Sequence, residues 1–337
     1  MYPWQSGSDG REETDVMYFN PRSGNWIKDD THLQRHIGAA VAYNVWQYYQ
    51  ATGDAEFLYS FGAELMFEIA RFWASIAQWN EARGRYDIRG VIGPDEFHDG
   101  HPDRDAPGLD NNTYTNVMAT WCVTRALELF ELLPKERCRE LCENLQIEQK
   151  ELAHWEHVSC KLYLPFHGDG IFSQFEGYEA LKEFDWNAYR RKYPNIMRLD
   201  LILEAESDTP NRYKLSKQAD VLMLFYLFSV EELAELVGRL GYTFDPQNHR
   251  LLSAAQLAWL HLECCCACLG IGALLPAALL VAIHGGSAKR HQRRSRRDHA
   301  RRHPSRRHVW HDRPVATLLH RAGAARRRTT FPSSTAG

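Results

Sequence analysis

A break in composition near residue 246 constrains this chain more than any other feature. Residues 1–246 carry 24 basic and 40 acidic side chains, a net charge of −16, whereas residues 247–337 carry 16 basic and 3 acidic, a net of +13. A single globular unit does not ordinarily segregate charge so sharply, so the two stretches are read separately. The first is acidic, aromatic-rich and long enough to bury a sizeable core. It has no heptad run, Gly/Ser linker or basic stripe, and no nucleic-acid partner is expected for it. Met1-Tyr2-Pro3-Trp4-Gln5 has neither the basic nor the apolar region of a signal peptide, which predicts a cytoplasmic location.

Within residues 1–246 the dominant signal is helical periodicity. Ile37, Val41, Val45 and Tyr48-Tyr49 share one face of a helix over about His36–Ala51. Thr52-Gly53-Asp54 supplies a glycine to end that helix and an aspartate to cap the next, predicted over Ala55–Trp79 with a break near Gly62. Periodicity returns over Thr115–Leu133, Lys135–Trp155, Lys217–Phe228 and Val230–Leu240. Between these lie long loops, Arg83–Asp110 and Pro165–Glu176, rich in Gly, Pro, Asp and His. Strand signals are confined to pieces such as Tyr86–Ile88. Helical hairpins joined by long polar loops predict an all-α toroid with a site built by the loops. Trp46, Phe67, Phe72 and Trp73 are expected in its core.

Three constellations could carry chemistry. Gly93-Pro94-Asp95-Glu96-Phe97-His98 sets adjacent carboxylates on a turn between apolar flanks. That setting can raise a carboxyl pKa for general-acid work, and a solvated acidic loop has the same composition. Lys217-Gln218-Ala219-Asp220 combines a cation, an amide and a carboxylate, suited to sugar hydroxyls or simply to a solvated helix start. Trp4-Gln5, Arg11-Glu12-Glu13 and His36 place aromatic and polar groups near the head of the chain; each alone could equally be structural. Cys122, Cys138, Cys142 and Cys160 lack C-x-x-C spacing and read as free thiols, with no metal site. There is no nucleophile elbow, P-loop, dinucleotide-binding glycine pattern or H-E-x-x-H, and no cofactor is expected.

Taken in order, several segments resemble glycoside hydrolase family 65, the family of maltose, trehalose and kojibiose phosphorylases. They are Met1 to Gly7, Gln34-Arg35-His36-Ile37, Thr52-Gly53-Asp54, Glu68 to Trp73, Gly93 to His98, Asp110 to Asn116, Asp169-Gly170-Ile171 with Ser173 to Tyr178, and Lys217 to Val221. The resemblance covers residues 1–246 and implies an (α/α)6 barrel. It implies inverting phosphorolysis of an α-glucosyl disaccharide, with inorganic phosphate as co-substrate and β-glucose 1-phosphate as product. Glu96 matches the family's general acid, and Lys217 and Gln218 match its glucose-binding pair. Trp4 and His36 are further substrate-binding candidates, and Glu12 lies in a loop resembling the acceptor-side loop. A phosphate anion needs no second carboxylate to activate it, unlike the water of an inverting hydrolase. A family 65 α-glucoside hydrolase and a non-catalytic sugar-binding helical module are the alternatives. Family members often form homodimers. Full members also carry an N-terminal β-sandwich and the first barrel helices, so the resemblance implies a partial barrel here.

From about Gln247 the resemblance stops. Cys264–Ile283 is an uncharged apolar run of 20 residues followed by dense arginines, which by hydropathy alone would span a membrane. Translation out of frame explains the tail better. When each codon is built from the last two bases of one residue and the first of the next, Trp259 and Trp310 must each become Gly. With permitted codons, Asn248–Glu263 become T-I-D-Y-Y-L-A-R-[SN]-S-H-G-S-T-L-S, which resembles the family's phosphate loop. Cys264–Leu269 become V-V-[VA]-H-A-W, and His299–Arg313 become T-R-E-G-I-H-L-G-A-M-x-G-x-[IT]-D. Three matches in one frame and in order predict a frameshift near codon 246. Residues 247–337 then form a disordered tail with no membrane role, and the chain is inactive as written.

Overall fold

The structure is a computed structural model that describes residues 1–244 apart from Ala219. The readings of residues 247–337, including the apolar run and the cysteine cluster, lie outside the described residues. A hairpin of β1 (Met17–Asn20) and β2 (Asn25–Lys28) precedes α1 (Ile37–Thr52). The chain continues through α2 (Ala55–Phe57), α3 (Ala63–Ile76), β3 (Gln78–Asn80) and β4 (Arg85–Asp87). Next come α4 (Thr113–Leu132), α5 (Lys135–Asn144), α6 (Gln149–Lys161), α7 (Trp186–Lys192), α8 (Leu199–Ala205), α9 (Asp220–Leu227) and α10 (Val230–Arg239). The described residues form a predominantly helical fragment of an α/α toroid.

The organising element is α4, in which every residue from Thr113 to Thr124 is buried. A helix buried all round needs neighbours on all sides, and α1, α3, α6, α9 and α10 pack against it. The main core joins Trp46, Phe67, Trp73, Trp121 and Trp155, while Phe72 is partly buried against it. A second, smaller cluster of Phe97, Phe184, Leu199, Leu203 and Leu215 lies under the loops. Its members Phe97 and Leu215 sit beside Glu96 and Lys217 in sequence, so it holds both loops in place.

The Thr52-Gly53-Asp54 signal works as expected. Gly53 adopts φ 68° and donates its N–H to Tyr49, and Asp54 accepts from Phe57 N at 2.9 Å. The helix expected over Ala55–Trp79 is interrupted by a π-helical turn at Leu58–Gly62 and stops at Ile76. A Cβ at Gly62 would lie 2.9 Å from Val45 Cγ1, so glycine permits this close approach to α1. Trp79 instead pairs with Tyr86 in the β3–β4 hairpin. Lys135–Trp155 divides into α5 and α6 because Gln146 takes φ 54°. Ile147 N then bonds back to Cys142 O, closing a Schellman turn with glutamine where glycine is usual. The β1–β2 hairpin and the short α7 and α8 had no clear sequence signal. The four cysteines among the described residues are free thiols, and no described helix is long and apolar enough to cross a membrane.

Candidate active site

Glu96 leaves the turn between β4 and α4 with its side chain 38% exposed. Lys217 and Gln218, some 120 residues further along the chain, meet it there. Lys217 Nζ lies 2.6 Å from Glu96 Oε2, Gln218 Nε2 donates to Glu96 Oε1 at 3.1 Å, and Glu96 N donates to Gln218 Oε1 at 3.3 Å. The helix predicted to start at Lys217 starts at Asp220, so Lys217 and Gln218 occupy the turn before α9 rather than its first turn. This frees both side chains to face Glu96. A carboxyl group held by an ammonium and an amide is placed to exchange those partners for hydroxyl groups of a ligand.

Beneath this exposed trio lies a buried polar layer. Asp95, 1% exposed, accepts from Lys217 N, Gln174 Nε2 and His98 Nδ1, and His98 Nε2 reaches Tyr213 O at 2.9 Å. Burial alone would push the His98 imidazolium pKa down; its hydrogen bond to Asp95 and that residue's charge outweigh the penalty and raise it. Asp220 caps the layer by accepting from Asn112 Nδ2 at 2.8 Å and Val221 N at 2.7 Å. Burial first, and the nearby Asp95 charge second, push its carboxyl up to about 7. Gly93 is required where the layer meets the acid turn, because a Cβ would sit 2.5 Å from Asn112 Nδ2 and 2.6 Å from Asp220 Oδ2.

The other sequence candidates form a second group. The Trp4 ring lies 5.6 Å from His36, which meets Tyr114 edge-on at 6.0 Å. Burial holds the His36 pKa down to about 4, so the ring is neutral near pH 7, and its buried Nδ1 has no hydrogen-bond partner among the described residues. Leu33 O accepts from Ile92 N, which joins the segment before His36 to the base of the acid turn. Glu12 is engaged with its own loop. Its carboxylate accepts from the N–H groups of Trp4, Gln5 and Thr14 and from Thr14 Oγ1. Burial opposes ionisation there, but these hydrogen bonds prevail and hold its pKa at about 2. Glu12 therefore shapes the loop that presents Trp4. The sequence offered Asp95 beside Glu96 as a carboxylate for acid work and Asp220 as one suited to sugar hydroxyls, but both are buried at 1% exposure and bonded within the layer; it named His98 only as part of the motif and gave Gln174 and Asn112 no role. The apolar flanks of the Gly93–His98 motif were the available signal for a buried member of the carboxylate pair.

Residues 1–252 match the model of the glycosyl hydrolase family 65 central catalytic domain. The chain is 56% identical over 246 residues to an uncharacterized glycosyl hydrolase of Mycobacterium tuberculosis, covering 73% of this chain and 18% of that protein. It is 37% identical over 248 residues to the trehalose 6-phosphate phosphorylase of Lactococcus lactis, covering 74% and 30%. The chain thus spans less than a third of the length of these relatives. A solved structure provisionally assigned as a kojibiose phosphorylase from the human microbiome superposes with a TM-score of 0.53 at 24% identity, covering 67% of this chain and 28% of that one. This last likeness is one of fold.

Proposed function

Because this chain belongs to glycosyl hydrolase family 65, we propose that Glu96 is the general acid of an inverting phosphorolysis of α-glucosyl disaccharides. In that reaction a phosphate oxygen attacks the anomeric carbon as the glycosidic C–O bond breaks. The Glu96 proton passes to the departing oxygen, giving β-glucose 1-phosphate and the free acceptor sugar. The carrying observation is the convergence of Lys217 and Gln218 on an exposed Glu96. Glucose hydroxyls take over the lysine and amide contacts, leaving the carboxyl free for the glycosidic oxygen. The adjacent carboxylate cannot activate water, since Asp95 is buried and already accepts hydrogen bonds from several donors. Relatives named as trehalose 6-phosphate, kojibiose and trehalose phosphorylases support the same reading.

Residues 247–337 are in our reading translated out of frame, so that the 337-residue chain lacks the phosphate loop and is inactive. The relatives' alignments, which span close to 250 residues of this chain, support that boundary. The test compares the 337-residue chain with the product of the natural locus after the frame is restored at codon 247. Sugar release from α-glucosyl disaccharides is followed with and without phosphate. The expected result is phosphate-dependent release by the restored protein alone, lowered by about 100-fold or more in Glu96→Gln. Release without phosphate would make the protein a hydrolase, and activity of the unrestored chain would refute the frame assignment.

A further inference from the structure

We propose that Asp95 is the positioning residue of the acid centre, clasping the Lys217–Gln218 turn to the Glu96 turn, and that His98 holds Asp95 as a buried imidazolium counter-ion. The assignment of the centre itself rests on the function proposed above; the clasp stands on geometry. Asp95 Oδ1 accepts from two successive backbone N–H groups, Lys217 at 2.7 Å and Gln218 at 3.3 Å, and from Phe97 N at 3.4 Å. Two successive amides pointing at one oxygen fix the orientation of the peptide between them. The side chains of those same two residues are the ones that grip Glu96. Asp95 and Glu96 are consecutive and face opposite ways, one buried and one open to solvent, so the two turns are joined twice. The lower joint uses backbone and carries no freedom to exchange partners. The upper joint uses side chains and is open to a ligand.

The other oxygen explains His98. Asp95 Oδ2 accepts from Gln174 Nε2 at 2.6 Å and from His98 Nδ1 at 2.9 Å, while His98 Nε2 faces the Tyr213 carbonyl at 2.9 Å. With an acceptor on each side, both ring nitrogens carry protons. The ring is fully enclosed, with Phe175 at 5.1 Å and Tyr178 at 5.7 Å, and the charged or titratable groups around it are Asp95, Tyr178, Asp99 and Asp220. A neutral imidazole would give up one of these two contacts, leaving Asp95 Oδ2 with Gln174 alone or the Tyr213 carbonyl with Leu215 N alone. The imidazolium therefore fixes the aspartate, which fixes the two amides. Asp95→Asn tests this chain of contacts. It preserves one acceptor oxygen but turns an NH2 group toward two donors, so His98 must surrender its Nδ1 proton.

The experiment uses the full 337-residue chain. Imidazole nitrogen NMR on histidine-labelled protein reads the His98 protonation state from pH 6 to pH 8, and amide hydrogen exchange reads the Lys217 and Gln218 N–H groups. The expected results are a doubly protonated His98 across that range and protected amides in the wild type. In Asp95→Asn and His98→Gln the Lys217 and Gln218 amides should exchange at least tenfold faster, while amides of α4 remain protected. A neutral His98 in the wild type, or Lys217 and Gln218 amides that already exchange like those of an open loop, overturns the proposal even if neither variant folds. Titration with D-glucose supplies the functional arm: affinity should fall at least tenfold in folded Asp95→Asn, and unchanged affinity counts against positioning. Failure of both this chain and the frame-restored protein to bind glucose counts against the function proposed for the centre, while the His98 and amide readouts still decide the clasp.

Discussion

Asp220→Asn isolates the charge stored under the acid turn. Asp220 is 1% exposed, and its carboxyl is pushed from 3.8 to about 7 by burial and by the Asp95 charge. Between these two values the folded chain holds a proton that the unfolded chain has released. The stability linked to this group is therefore fully present below about pH 4, declines as pH rises, and is lost above about pH 7. A shift of about 3 units corresponds to about 4 kcal/mol, of which about 3 kcal/mol falls between pH 5 and pH 8. Asparagine has the same outline as the protonated acid, with one acceptor and one donor group, and stays neutral at every pH. The new NH2 group faces one of the two donors, Asn112 Nδ2 or Val221 N, so one contact is lost at every pH; this offsets the variant's stability by a constant and leaves the pH-dependent difference intact. The elevated His98 pKa rests mainly on Asp95, which is present in wild type and variant alike; only the smaller contribution of the Asp220 charge is lost. Urea unfolding followed by tryptophan fluorescence at pH 5, 6, 7 and 8 measures the difference. The variant should gain about 3 kcal/mol on the wild type across that range, a midpoint shift of about 1 M or more. A gap that stays constant from pH 5 to pH 8 would refute the reasoning, since it would mean that Asp220 does not change its charge in that window.

Two further substitutions probe the packing around the same centre. Gly93→Ala should destabilise by about 1–3 kcal/mol in thermal or urea unfolding, because its Cβ must displace Asn112 Nδ2 and Asp220 Oδ2. Trp155→Ala should lose about 3–5 kcal/mol in the same assay, since the indole is 1% exposed and packs 6.2 Å from Phe67 in the main core.

The parts of the fold legible in the sequence are those fixed by local chemistry. Helices α1, α4 and α10 follow apolar periodicity, and Gly53 and Asp54 mark a helix end and a helix start by their own conformational preferences. The parts that escaped depend on partners far along the chain. Gln146 takes a left-handed conformation because Ile147 must bond back to Cys142, and nothing in a glutamine announces that. The β1–β2 hairpin is short and mostly exposed on its strands, so it lacks the alternation that identifies a half-buried sheet. At the site, Glu96, Lys217 and Gln218 could each be picked out as residues with suitable chemistry. Their meeting could not be derived from spacing, because it is set by a small core joining Phe97 to Leu215. Nor could two adjacent carboxylates be told apart by composition. The buried donors Gln174 and His98 decide which of them is structural.

The contrast between those two carboxylates explains how one short motif can be both rigid and responsive. The Glu96–Lys217 ion pair is about one-third exposed on each side chain, and pairs of that kind contribute only about 0–1 kcal/mol. Replacing it with contacts to the sugar hydroxyls of the proposed reaction therefore costs little. Asp95 sits at the opposite extreme. Breaking up a fully buried carboxylate–imidazolium pair by removing one partner costs about 3–5 kcal/mol, because the remaining charge is left without compensation. A ligand arriving from solvent can thus rearrange the upper contacts without disturbing the lower ones. A general acid needs this combination, since its proton must move during the reaction while the backbone carrying it stays within a fraction of an ångström of the bond being cleaved.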